Sequence, residues 1–212
     1  MLRIPLAMVL ASSTLVTSCA ANQVATGGPS LTGQVRADTL AGVAKRIYRQ
    51  EVRGDVGHAA VKRISRDRAL LAALSRGNRA ALRAAALRQL FNPGKHVVRL
   101  SIVRRGQTLT NVGGAFVVAP ARLELHTRNG VPLGMLDASM QDVIGYVKLV
   151  HRLTGAQIVV RGDPGHVESS FATPPATLPA SGATTVGGHQ YIVRSFKEVG
   201  YAREALNVWI LT

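Results

Sequence analysis

The sequence predicts an α+β fold: a long N-terminal helix and a short second helix packed on an antiparallel β-sheet, with one further helix inserted among the strands. Three observations predict it. Apolar residues recur at three- and four-residue spacing from Leu40 to Leu74, the period of a helix stripe. Beyond Asn92-Pro93-Gly94 the period falls to two, the mark of half-buried strands. The strand-like runs are joined largely by hairpin-length turns, and there are too few helices to supply the crossovers that parallel strands need.

In chain order, Leu40, Val43, Ala44, Ile47, Tyr48 and Val52 form one helical stripe, and Val56, Ala60, Ile64, Leu71 and Leu74 continue it across Gly54 and Gly57. These glycines lower helix propensity without ending the pattern. Gly77-Asn78 reads as a stop followed by a new N-cap, so a second helix spans Ala80 to Phe91. His96 to Val103 then alternates, with Val98, Leu100 and Ile102 on one face and Arg99 and Ser101 on the other. Arg122 to Arg128 and Val131 to Ala138 read as a hairpin about Asn129-Gly130, which suits a type I′ turn. The inserted helix follows, with Ser139 and Asp142 able to serve its exposed first-turn N–H groups and Gly155 placed to end it in a left-handed conformation. Gln157 to Arg161, His166 to Ser170, His189 to Phe196 and Ala205 to Leu211 are further strands. Phe171 to Gly188, rich in Pro, Thr and Gly, reads as a long exposed loop.

The start of the chain speaks to location. Met1-Leu2-Arg3 gives a positive end, an apolar run follows from Ile4, and Val16-Thr17-Ser18 leads into Cys19, the only cysteine of the chain. Residues 1–18 have the layout of a secretory signal peptide. Small residues before a lone cysteine resemble a bacterial lipoprotein signal, which implies cleavage before Cys19 and a lipid on its sulfur. A membrane-spanning anchor is the alternative; Pro5 and three hydroxyl residues weaken a run already near the ~17-residue lower limit for a span. Residues 19–35, rich in Ala, Gly, Ser and Thr, are expected to be a flexible tether. Residues 36–212 are expected to form a single domain that relies on a hydrophobic core, because no second thiol exists to make a disulfide.

Charge is unevenly placed. Residues 1–105 carry 18 Lys/Arg against 4 Asp/Glu, and residues 106–212 carry 8 against 7, so nearly all of the formal +15 lies in the first, helical part. Such a surface attracts anionic lipid headgroups or acidic polymers, and an exported chain meets these rather than nucleic acid. Four Phe and one Trp are too few for stacking platforms on single strands.

The stretches "RALLAALSRGNRAALRAAALRQLF", "NVGGAFVVAPARLEL" and "GMLDASMQDVIGYVKLVHRLTGAQIVV", in a chain that runs from long helix to interrupted antiparallel sheet, resemble the single Cache domain, the extracytoplasmic relative of the PAS fold. The resemblance covers about Leu40 to Thr212. It implies a small-molecule sensor whose ligand lies on the sheet face away from the long helix, under loops and the inserted helix. This chain ends at Thr212, directly after its last predicted strand, so an output is expected to run through a membrane partner.

On that reading the candidate ligand-binding residues are Arg99, Ser101, Phe116, Arg122, His126, Tyr146, His151 and Arg161, with Cys19 as the lipidation site. Converging guanidinium groups suit a carboxylate, whose two oxygens they hold in charge-assisted pairs, so an anionic metabolite is the expected ligand class. Gly113-Gly114 lacks the spacing and following helix of a phosphate loop. The six histidines form no tight ligand pairing, no Gly-x-Ser-x-Gly elbow occurs, and neither catalysis, a cofactor nor a metal is expected. The competing reading is a structural or adaptor lipoprotein of the envelope, whose basic helices bind acidic polymer, lipid surface or a partner protein.

Overall fold

The computed structural model describes residues 31–92 and 96–212. The expected signal peptide, Cys19 and the expected tether up to residue 30 lie outside the described residues, as does the Pro93-Gly94 part of the predicted helix stop. Residues 31–35, expected to be tether, are helical.

The architecture is α+β, with four N-terminal helices and nine antiparallel strands among the described residues. The predicted long helix is three. α1 (Leu31–Arg53) ends at Gly54, and α2 (Asp55–Ile64) and α3 (Arg68–Ser75) follow. A Cβ on Gly54 would lie 2.3 Å from the Gln50 carbonyl oxygen, so the sharp change of direction needs a residue without one. The stripe stays in phase across the break because both pieces bury one face, but against different partners. α4 (Arg79–Leu90) starts as predicted, with the Asn78 side chain accepting from the Ala81 N–H at 3.0 Å.

The strands expected to form one sheet form two. β1 (Arg99–Arg104), β2 (Gln107–Gly113), β3 (Ala121–His126) and β4 (Pro132–Ser139) make a four-stranded sheet in the order β2-β1-β4-β3. β5 (Gln157–Arg161), β6 (Val167–Ser169), β7 (Ser181–Val186), β8 (His189–Val199) and β9 (Ala205–Leu211) make a five-stranded sheet in the order β6-β5-β9-β8-β7. α5 (Val143–Thr154), read as inserted into a sheet, joins the last strand of the first sheet to the first strand of the second. The β3-β4 hairpin is present, but its loop is longer than the type I′ turn. The Thr127 N–H donates to Val131 O, the Gly130 N–H donates to Thr127 O, and of Asn129 and Gly130 only the glycine takes a positive φ, 78°.

Each sheet buries one face against helices. Leu100, Ile102, Leu136 and Ala138 pack with Ile64, Leu70, Leu74 and Leu82, so the apolar face of β1 meets α2–α4 and not the long α1. Gly57 makes this approach possible, since a Cβ there would sit 3.3 Å from that of Ala121. The second core joins Ala44, Ile47 and Tyr48 of α1 to Tyr146, Val147 and Val150 of α5 over Ile158, Val160, Val208 and Ile210. An Arg194–Asp38 ion pair adds a polar tie between β8 and α1. Asp142 itself, not Ser139, is the N-cap of α5, accepting from the Gly145 N–H at 2.6 Å, and Gly155 closes the helix at φ 68° as expected. No described helix is long and apolar enough to cross a membrane.

Candidate functional site

The two outer faces, turned away from the helices, differ. That of the second sheet is filled by its own chain: Val159, Val193 and Leu211 are buried against Phe171, Leu178, Tyr191 and Trp209. Arg161 Nη2 donates to Pro175 O, and Trp209 Nε1 to Pro179 O at 3.1 Å, pinning the Pro-rich segment down. The Arg161 guanidinium also lies 5.5 Å from the Trp209 ring centre.

The outer face of the first sheet is polar. Strand register places Arg122 opposite Asp137, Asp137 opposite Ser101, and Ser101 opposite Asn111, so one row of polar side chains crosses all four strands. Arg122 Nε lies 2.9 Å from Asp137 Oδ1 and Nη2 lies 3.4 Å from Oδ2. Oδ1 is buried and receives no well-formed hydrogen bond, so this contact is ionic more than directional. Arg99, one pleat along the same face, donates to Asn111 Oδ1 at 3.1 Å and to Ala115 O at 2.8 Å.

A segment of the second sheet closes over this row. Between β8 and β9 the chain turns through Gly200-Tyr201-Ala202-Arg203, and Ala202 and Arg203 both take positive φ, 54° and 67°. Adjacent non-glycine residues in this region cost backbone energy, and such strain collects where a segment is held for a purpose. The surroundings hold it firmly. Tyr48 Oη donates to Val199 O at 2.7 Å and accepts from the Ala119 N–H at 3.2 Å, and Val118 bridges to Gly200. The Tyr201 ring stacks under the Arg99 guanidinium at 4.2 Å, a cation–π contact, and buries Ser101. Burial pushes the Tyr201 phenol up, offset by Ser101 and Arg99 beside it; the hydroxyl still lacks a partner of full hydrogen-bond geometry. Beside this closure Ala119, Pro120, Arg122, Val199, Gly200 and Arg203 line a depression of about 440 Å³.

Burial also raises the Asp137 carboxyl above its ordinary 3.8, with Arg122 pulling the other way. The folded chain therefore binds more protons here than the unfolded chain from 3.8 up to the raised value. The group's contribution to stability is greatest below 3.8 and falls as pH rises through that window. Asp137→Asn is expected to flatten this part of the pH–stability profile and to raise the midpoint of urea unfolding at neutral pH; an unchanged slope would mean that the carboxyl is solvated.

Of the sequence-predicted residues, Arg99, Ser101 and Arg122 come together here. His126 is on the same face at the far end of β3, exposed and 3.3 Å from Glu124. Phe116 stacks on His166 at 4.9 Å between the two sheets, and Arg161 serves the second sheet. Tyr146 is buried in the second core, where Oη donates to Ala44 O at 3.0 Å and the ring meets Tyr48 edge-on at 5.4 Å. Burial holds its phenol far above the ordinary range. His151 donates from Nδ1 to Ala156 O at 2.7 Å and trims the C-terminus of α5. These last two make their contacts within the second core and at the end of α5, away from the polar row. Sequence reasoning missed Tyr201 and Arg203 as site residues; "VGYAREA" carries no signal beyond an aromatic and a cation after glycine. Among the described residues no group of three or more His, Cys, Asp or Glu could hold a metal ion.

No family profile and no curated protein matches the chain. Among solved structures it is similar to the periplasmic domain of LuxQ from Vibrio cholerae, at 12% identity over 86% of this chain and 99% of that one, with a TM-score of 0.47. It is also similar to an extracellular ligand binding receptor from Desulfohalobium retbaense, at 12% identity, 86% of this chain, 41% of that one and a TM-score of 0.42. A domain of a sensory box/GGDEF family protein from Vibrio parahaemolyticus matches at 10% identity, 85% of this chain, 95% of that one and a TM-score of 0.39. These are likenesses in the course of the chain, and the site described above rests on this chain's own residues.

Proposed function

We propose that this chain is an extracytoplasmic, sensor-type domain that binds a small anionic molecule, a carboxylate or amino acid, between the outer face of its first sheet and the Val199–Glu204 segment. The observation that carries this is the convergence of Arg122 and Arg203, from different sheets, on one depression beside the buried Asp137–Ser101 row. Two guanidinium-bearing residues lining one concave site favour an anion that can accept from both. Asp137 competes with that anion for Arg122, so binding couples to how the first sheet holds its own carboxylate. Because the closing segment connects β8 to β9, and α1 packs on β8, a ligand that draws Arg203 inward pulls on the N-terminal helix. In this reading the chain binds its ligand without turning it over, Cys19 carries the lipid that holds it at the membrane, and a membrane partner reads α1.

A thermal-shift panel of mono- and dicarboxylates and amino acids tests the reading. At least one acid is expected to raise Tm by mass action on the folded state. Arg122→Ala and Arg203→Ala are each expected to remove the shift, and Arg152→Ala on α5 to keep it. A panel without any shift, or a shift that survives both substitutions, overturns the site.

A further inference from the structure

A second cluster of cationic groups about a cavity lies elsewhere, on the helical side of the first sheet. The α3–α4 turn and the β1–β2 turn enclose a cavity of about 360 Å³ lined by Ala73, Leu74, Gly77, Arg79, Leu82, Arg104, Arg105, Gln107 and Leu109. Its floor is apolar: Ala73, Leu74 and Leu82 belong to the first core. Its rim carries three arginines and no acid, and Arg79, Arg104 and Arg105 take part in none of the ion pairs among the described residues.

The turn that presents two of these arginines is itself unusual. Arg105 and Gly106 take φ 50° and 76°, the left-handed pair of a two-residue hairpin loop, where Asn, Asp or Gly is the favoured first residue. A long β-carbon-bearing cation costs backbone energy at that position, and like charges around one opening repel. The repulsion is present in the free chain and falls when an occupant with negative charge sits at the opening.

We propose that this cavity is a second binding site, for a single amphiphilic anion: a carboxylate or phosphate head held by Arg79, Arg104 and Arg105, with a short apolar chain on Leu74, Leu82 and Leu109. A purely polar anion leaves the floor unsolvated by ligand, and an uncharged hydrocarbon leaves the rim uncompensated. The volume stands near the lower end of the ~300–1,000 Å³ range of small-molecule sites, so the chain is short. The site does not depend on the reading of the outer sheet face, since it shares no lining residue with the depression at Arg122 and Arg203.

Isothermal titration of the full chain with sodium decanoate, below the concentration at which it forms micelles, tests the inference. One decanoate is expected per chain, with affinity at least tenfold above that for decanol and for acetate. The double variant Arg104→Gln/Arg105→Gly, which relieves the strained turn as it removes the charge, is expected to weaken decanoate at least tenfold. The same titration in Arg122→Ala is expected to match the parent, which separates this site from the one on the outer face. Equal binding of decanol overturns the role of the rim, and equal binding of acetate overturns the role of the floor. No titratable heat with decanoate, or binding only to vesicles of anionic phospholipid, overturns the site itself and assigns the arginines to a membrane surface.

Discussion

Replacing Gly113 by alanine is expected to destabilise the chain by about 3–5 kcal/mol, close to the loss of the first sheet. Gly113 sits at φ 114°, a conformation that a β-carbon resists, and it is packed against the neighbouring strand. An added Cβ would meet Val98 O at 2.2 Å and Arg99 Cα at 2.6 Å. Both are backbone atoms, so no side-chain rotation relieves the collision. The displaced residue is Arg99, which leans on Ala115 O and on the Tyr201 ring, so the substitution is also expected to loosen the closing segment over the polar row. Urea unfolding followed by far-UV circular dichroism measures the loss. Gly182→Ala is the control: its φ is 104°, but nothing lies within 4 Å of the new Cβ, so its cost is expected to be about 1–2 kcal/mol. Equal effects of the two would show that backbone angle, and not the close approach of β2 to β1, sets the cost.

Tyr146→Ala is expected to cost about 3–5 kcal/mol, the usual range for deleting a buried aromatic ring. The ring lies fully buried between α1 and the second sheet, so its removal leaves a cavity at the place where α1, α5 and β5 meet. Tyr146→Phe is expected to cost only about 1 kcal/mol, the loss of the single hydrogen bond to Ala44 O, and to leave any ligand-induced thermal shift unchanged. Trp209, the one tryptophan of the chain, lies on β9 in the same sheet and reports the transition by fluorescence. A Tyr146→Phe chain that unfolds normally but no longer responds to ligand would return this residue to the binding site.

Much of the fold was legible because a buried face leaves a periodic trace. Leu100 and Ile102 against Arg99 and Ser101 defined two faces of β1, and those two faces became core and candidate site. β2 and β7 escaped because both are edge strands with a weak apolar pattern, unlike the edge strands β3 and β6, which were read. β7, Ser181–Val186, alternates Ser, Ala and Thr with Gly, Thr and Val, and its burial alternates only between exposed and half-buried, so its apolar signal never rises above that of a loop. β2 reads Gln-Thr-Leu-Thr-Asn-Val-Gly, where Thr110 is buried and polar at once. The break at Gly54 escaped because a stripe records that a face is buried and not what buries it. Of the candidate site, Arg99, Arg122 and Ser101 were legible as cationic and polar positions on a strand. Tyr146 and His151 were read as ligand-facing because an aromatic or a histidine on an amphipathic helix gives the same pattern whether it faces a cavity or a core.

The sequence by itself determined the α+β class, the start of α4 at Asn78, the stop of α5 at Gly155, and the two-faced character of β1. Each follows from interactions within one turn of helix or a few residues of strand, which local order encodes directly. Only the tertiary structure decided that the strands divide into two sheets, that α1 serves one and α2–α4 the other, and that Tyr201 and Arg203 arrive beside Ser101 and Arg122. Those outcomes depend on which buried face meets which, a pairing between segments far apart in the chain, as Tyr48 and Val199 are by 151 positions, whose free energy comes from shared exclusion of water and leaves no periodic mark on either segment.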